Sequence, residues 1–309
     1  MSNLTYPPAP VQVTGDVKTI HQFLKEPTSI AKYVQTLADQ ALIADVLLPK
    51  THTTESGSFV VEEPVEAGTT TDPEPVAPGG EYPLTSIKSG DSHAVSTLKR
   101  GFDALITDES VSRRKFSPVQ EAFTGMLYQM TTVIDSLALS AVTSAVSRSE
   151  NAIAPWGATG HNPLRDLLLA RAKVSALKKG LHLNLCVVDL ETAAMLASDE
   201  KIAALLKRED GSAPVYTGNL GNLGNFQILT SEHLPVGAGN ALLLDSTRLG
   251  GMGDENLHAP GYTKAPGGKI EIKTWREDGI DSQRVRVRRV TVPIIEDADA
   301  GFIIEGVSA

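Results

Sequence analysis

An α+β chain is what the sequence predicts, on three observations. From Ser117 to Arg148, apolar residues recur at three- and four-residue intervals with almost no charge, the period of a long helix. Between about 151 and 250, helical patterns alternate with short apolar runs such as "LHLNLCVVD" and "NALLLD", the pattern of a compact α/β unit. Beyond residue 268 the period falls to two, in "KIEIKTW" and "RVRVRRVTV", so the chain closes in sheet.

The chain has 309 residues, enough for two domains of ordinary size. Apolar residues make up 41 % and aromatics 5 %, so its cores are built from Val, Ile, Leu and Ala. A formal net charge of −9 argues against a general nucleic-acid binder, which needs clustered Lys and Arg. Local basic patches stay open to that use. The single cysteine, Cys186, lies in an apolar run and reads as a small buried hydrophobe. A catalytic thiol needs a base, and His182, four residues away on a strand, stands about 13 Å off. The start "MSNLTYPPAP" lacks the pattern of a signal peptide, and no run reaches membrane-spanning length. The expectation is a soluble chain that matures in a cytoplasm.

Residues 1–26, with Pro7, Pro8 and Pro10, read as an extended arm. A short helix follows from Pro27, with Thr28 or Ser29 as cap, and then the apolar segment "ALIADVLLP". Residues 51–87 hold Glu55, Glu62, Glu63, Glu66, Asp72, Glu74 and Glu81 and no Lys or Arg. "GSFVVEEP" and the stretch after Tyr82 are strand-like, while the Pro-, Gly- and Thr-rich middle cannot pack a core. A long two-stranded hairpin fits, needing something to lie against. A disordered surface loop fits the composition too. For the long helix, Ser117 is the expected cap, Pro118 the first residue and Gln120 the partner in a capping box. Its expected stripe is Phe123, Met126, Leu127, Met130, Val133, Ile134, Leu137, Ala141 and Ala145, and Asp135 is the one charge from Ala122 to Ser147. A helix this long and this uncharged needs covering on most sides. Next come a helix capped by Asn162 and stopped by Gly180, the buried strand around Cys186, a helix over 190–210, and two strands about a turn with Gly237 and Gly239. Residues 251–268 read as loop, and the closing strands turn near Asp278-Gly279.

Catalytic patterns are scarce. The seven His are scattered, with no metal-ligand spacing, no phosphate loop and no nucleophile elbow. "GNLGNLGN", with Gly218, Gly221 and Gly224, has the wrong spacing for a dinucleotide fingerprint and reads as a turn. No catalytic residue, cofactor or metal is expected. The clearest charge pattern is "RVRVRR". Arg284, Arg286 and Arg288 share one strand face, Val285 and Val287 the other, and Arg289 adds a fourth charge. Three uses remain open: a solvated face with acids nearby, a surface for packaged nucleic acid, or a docking site for a neighbour's acidic hairpin. Arg113, Arg114 and Lys115, just before the long helix, form a second basic run facing nucleic acid or scaffold.

"GSFVVEEP", "GGEYPLTSIKSGD", "KRGFDALITDESVSRRKFSPVQEAFTGMLYQMTTVIDSLALSAV", "LGNFQILTSEHLP" and "NALLLDSTRLGGM" follow in an order that resembles the major capsid proteins of tailed bacteriophages, with the Hong Kong 97-type fold. The resemblance covers nearly the whole chain and rests on the order and sizes of the parts. It implies an N-terminal arm (1–26) and an extended loop (51–92). It implies a peripheral domain (27–50, 93–150, 256–309) with spine helix 117–148, and an axial domain (151–255). It further implies pentamers and hexamers that self-assemble into an icosahedral shell around double-stranded DNA, with loops reaching over neighbours. Glu62, Glu63, Glu66, Asp72, Glu74 and Glu81 would then make inter-subunit contacts. Expected partners are other copies, a separate scaffolding protein, a portal, a possible decoration protein and DNA held non-specifically on the inner face, with no membrane. The expected location is the virion, after assembly in a bacterial host's cytoplasm. Some relatives join subunits through a loop Lys and an Asn. Here 51–87 contain no Lys and Lys88 lies at the loop base, so no such crosslink is expected. An encapsulin shell holding cargo enzymes is the alternative within the fold. An α/β enzyme using Glu232, His233 and Asp245 is the alternative outside it, followed by a tail or decoration protein.

Overall fold

The computed structural model describes residues 17–62, 75–82, 92–158, 160–199, 202, 222–232, 234, 239–265 and 268–308. Its longest strand, β13 (Ser282–Ile295), organises the first sheet. One edge of β13 pairs with β12 (Glu271–Glu277), its hairpin partner across the Asp278–Ile280 turn. The other edge pairs first with β4 (Leu98–Thr107) and then, from Thr291 to Ile295, with β10 (Gly250–Glu255). β1 (Lys50–Thr54) lies parallel to β10, and β11 (Thr263–Lys264) extends the far side beyond β12. Alternation along β13 sends Val285 and Val287 into the core and leaves the opposite face half-open.

Helices cover the valine face. They are α1 (Val17–Lys25), α2 (Pro27–Ala41), the short α3 (Ala44–Leu47) and the long α5 (Ser117–Ala145), which packs on β13, β4 and α2. Phe23, Tyr33, Phe116 and Phe123 meet edge-on, with ring centroids 5.9–6.2 Å apart. The stretch read as an extended arm thus becomes helical from Val17, because Ile20, Phe23 and Leu24 are buried against this core. Residues 1–16 lie outside the described residues.

The helix starts differ from expectation. Thr28 and Ser29 sit inside α2, with Glu26 at the cap position and Ser29 Oγ donating to its carboxylate at 3.1 Å. Ser117 is likewise helical. Its hydroxyl donates to Glu121 at 2.9 Å, so no capping box forms with Gln120. The reason is local. α4 (Asp108–Arg114) ends at Lys115 with φ 57°, and the chain re-enters a helix one residue later, leaving Phe116 at the cap position. α5 ends at Ala145, three residues short of Arg148. Its buried stripe also turns. After Ile134 the covered residues are Asp135, Ala138, Leu139 and Val142, while Val133, Leu137, Ala141 and Ala145 are half-exposed. The turn follows Asp135, which points inward to cap α3.

The second sheet runs β5 (Ser149–Asn151), β14 (Gly301–Glu305), β9 (Ala241–Leu244), β6 (Leu185–Val188), β8 (Phe226–Thr230), β7 (Asn222–Leu223). β6 and β9 are buried throughout, as their unbroken apolar runs require. α6 (Pro163–Ser175) and α7 (Leu190–Ser198) belong to the same stretch of chain. Asn162 caps α6 by accepting from the Arg165 amide at 3.2 Å, and Asp189 caps α7 from Thr192 at 2.8 Å. Gly224 and Asn225, with φ 56° and 76°, make the two-residue turn between β7 and β8. Gly218, Gly221 and Gly237, and residues 200, 201 and 203–210 of the expected helix, lie outside the described residues. The 151–250 unit does not close by itself, because β14 from the chain end pairs with β9 inside its sheet.

The stretch 251–268, read as loop, contains β10, a strand flanked on both sides. Its glycines are the reason. A Cβ on Gly251 would lie 2.5 Å from the Lys50 carbonyl oxygen, and one on Gly253 would lie 2.6 Å from the Phe59 ring. Glycine lets β1 and its neighbour approach, at the cost of any strand signal in the sequence.

Candidate assembly surfaces

The acidic segment rises from a stem of two strands. β2 (Ser58–Glu62) pairs antiparallel with β3 (Ser92–Ser96), Ser58 opposite Ser96 and Glu62 opposite Ser92. Among the described residues no third strand joins them. The Phe59 ring packs edge-on against His52, and the Thr97 amide donates to the Gly57 carbonyl at 3.0 Å, so the base is tied down. Further out Val60 is 74 % exposed, so one face of the stem is uncovered within the chain. Glu62 ends β2, exposed. Glu81 is exposed near a turn in which Gly79 takes φ 83° and the Gly80 amide donates to Ala77 at 2.8 Å. Glu55 contacts His258 at 3.1 Å. Glu63, Glu66, Asp72, Glu74 and Lys88 lie outside the described residues.

The basic strand is already engaged within the chain. Arg284 meets Glu277 at 2.9 Å. Arg286 forms a two-pronged pair with Asp103 of β4 at 2.6 and 2.7 Å, and this hydrogen bonding holds the Asp103 carboxyl below its ordinary range. Arg288 is buried on Glu271 at 2.7 Å, with its guanidinium carbon 3.5 Å from the Tyr262 ring centroid. Trp275 lies between Arg284 and Arg286, at 5.7 and 5.1 Å.

Arg289 does not join this ladder. It has the parity of Val285 and Val287, points to the helix side and is fully buried. There it bridges Asp254 of β10 at 2.9 Å and Asp45 of α3 at 3.0 Å. Burial pushes the Asp45 carboxyl up, but Arg289 and Lys269 outweigh it and hold it below the usual value. Of the second basic run, Arg114 pairs with Glu121, while Arg113 and Lys115 stand exposed without an acid partner among the described residues.

Among the described residues, those weighed for an enzyme do not form a site. Asp245 is buried and spent on the loops at the end of β9. It accepts from the His182 amide at 2.7 Å, the Thr247 amide at 3.0 Å and the Thr247 hydroxyl at 2.6 Å. Glu232 is exposed beyond β8, and His233 lies outside the described residues. Complete burial pushes the Cys186 thiol up to about 12, which keeps it protonated and unreactive. Among the described residues no group of His, Cys, Asp and Glu is placed to hold a metal ion. No described helix is long and apolar enough to cross a membrane.

The subunit thus consists of a long helix laid on one sheet, a two-stranded stem and a second six-stranded sheet. Residues 91–304 match the family model described as phage capsid protein, and the chain therefore belongs to that family, the structural proteins of bacteriophage shells. Its fold is the Hong Kong 97-type α+β fold. The chain is similar to the capsid of cyanophage P-SCSP1u, with 11 % identity, TM-score 0.58, and 84 % of this chain against 86 % of that one. It is similar to a phage-related protein from Bordetella bronchiseptica, with 11 % identity, TM-score 0.56, and 89 % against 96 %. An encapsulin complex from Synechococcus elongatus is similar at 12 % identity, TM-score 0.54, and 87 % against 89 %. At such identities these likenesses speak for the fold alone. No curated protein matches the sequence.

Proposed function

We propose that this chain builds pentamers and hexamers that close into an icosahedral shell around double-stranded DNA. In this reading residues 51–92 are the extended loop, and 151–249 together with the β5 and β14 strands form the axial domain at the ring centre. The segments 17–50, 93–148 and 250–300 form the peripheral domain, with the segment before Val17 as the arm. The carrying observation is the β2–β3 stem, tied at its base and bare on one face. A two-stranded ribbon is marginal in water, so a neighbouring subunit is its natural cover. The acids Glu62, Glu63, Glu66, Asp72, Glu74 and Glu81 approach the neighbour's strand Arg284–Arg288. Arg113 and Lys115 face nucleic acid or scaffold. Scaffold and portal are separate chains, and assembly takes place in the host cytoplasm. The chain acts as a structural protein, with no catalytic step.

Arg286→Glu is expected to weaken shell assembly. It places a carboxylate against Asp103, which loses its two-pronged partner, and reverses the sign of the strand centre. Shell yield by size-exclusion chromatography, with salt and heat resistance, is the readout. Normal shells with unchanged resistance would remove the strand from the interface. Nucleic acid inside purified shells supports the phage reading, whereas packaged cargo protein would support an encapsulin.

A further inference from the structure

The face of the first sheet turned away from the helices carries Lys99, Lys264, Lys273, Arg284, Arg286 and Arg288 against Asp103, Glu271 and Glu277. On β4, β11, β12 and β13 six cations meet three carboxylates, in a chain whose net charge is −9. The carboxylates are used up by the three arginines and Lys264. Lys99 and Lys273 are left with no acid among the described residues. Lys273 is held in place without one, its ammonium 5.6 Å from the Tyr262 ring and 6.0 Å from the Trp275 ring. An ammonium placed over aromatic rings keeps N–H groups available for an anion. Beside it lies a cleft of about 360 Å³ lined by Lys99, Gly101, Asp103, Tyr262, Arg286 and Arg288. Gly101, one of its lining residues, lets β4 lie close on β13: a Cβ there would lie 2.6 Å from the Val287 carbonyl oxygen.

We infer that this cleft, through Lys99 and Lys273, receives the carboxylates of Asp72, Glu74 and Glu81 from a second copy of the chain. The inference rests on the loop-over-neighbour reading and deepens it. The receptor is the pair of unspent lysines, and the arginines singled out in the sequence set the field around them. Charge complementarity selects the occupant, because residues 51–87 hold seven carboxylates and no Lys or Arg. Within that segment Glu55 contacts His258, and Glu62 ends the paired stem. Asp72, Glu74 and Glu81 are the acids that lie ten or more residues in sequence from either stem strand.

The test is a charge swap in the full-length chain. Lys99→Glu with Lys273→Glu is expected to raise about tenfold the subunit concentration at which shells form, the effect of losing two exposed ion pairs per contact. Asp72→Lys with Glu74→Lys and Glu81→Lys is expected to do the same. The chain carrying all five changes is expected to return to within about threefold of the wild type. Unfolding of the unassembled subunits checks that the exposed substitutions leave the fold intact. Wild-type assembly by the lysine variant overturns the inference while the capsid reading stands. So does a five-fold variant no better than either parent set. Normal shells that fail to retain DNA would assign the cleft to nucleic acid and overturn it too. If the wild type forms no shells in the same assay, the underlying reading falls first.

Discussion

Arg289→Ala is expected to cost about 3 to 5 kcal/mol of subunit stability, the cost of removing one partner from a buried ion pair. The arginine is wholly buried and joins three parts of the chain: β13, Asp254 on β10 and Asp45 on α3. Without it the Asp45 and Asp254 carboxylates lose their shared partner, and Lys269, 2.8 Å from Asp45, is the one ion-pair partner left to them among the described residues. Against a typical total of about 5 to 15 kcal/mol, this is enough to deplete folded subunits before assembly begins. Arg289→Lys should fall between the two, because a point-like ammonium cannot hold both acids in a fork. The pH dependence follows from the sign. The Asp45 carboxyl is held below its ordinary value, so its contribution is complete above about pH 4 and fades as the pH drops further. Denaturant unfolding of the unassembled chain measures all three effects, and an alanine variant as stable as the wild type would show that the bridge contributes nothing.

Asp135→Ala is the second large effect, at about 2 to 4 kcal/mol. α3 has no side-chain cap of its own, and its first amides are satisfied from the long helix instead. Asp135 accepts from Ala44 at 2.8 Å and from Ile43 at 3.3 Å. Alanine would leave these amides without that acceptor beneath a buried helix face. Asparagine keeps an acceptor of similar shape and should cost less than half as much. Thermal unfolding of the three proteins tests this order, and equal losses for alanine and asparagine would point to packing instead.

Much of the framework was legible because it is local. Asn162 with Pro163 marked a real helix start, and the runs around Cys186 and Leu243 were the buried strands they looked like. Period two along β13 set the faces of Val285, Val287, Arg284 and Arg286. Most of the misses depend on partners distant in sequence. β10 is a run of glycine whose strand character comes from Lys50, Phe59 and Ile294 pressing on it. Arg289 enters the sequence reading only as a fourth charge, and its parity with Val285 and Val287 puts it on the helix side. Its acids, Asp45 and Asp254, cannot be inferred from nearby sequence. Ser117 looked like a cap, but the turn at Lys115 starts the helix one residue early. At the candidate surface the acidic segment and the basic strand were both visible. The unspent lysines, Lys99 and Lys273, emerged only once the arginines had found their acids.

The most direct test of the central claim is negative-stain electron microscopy of the purified full-length chain, with size-exclusion chromatography alongside. Closed icosahedral shells, or rings of five and six subunits, are the predicted result. A monodisperse monomer or dimer that stays small even in the presence of phage-lysate factors would contradict it.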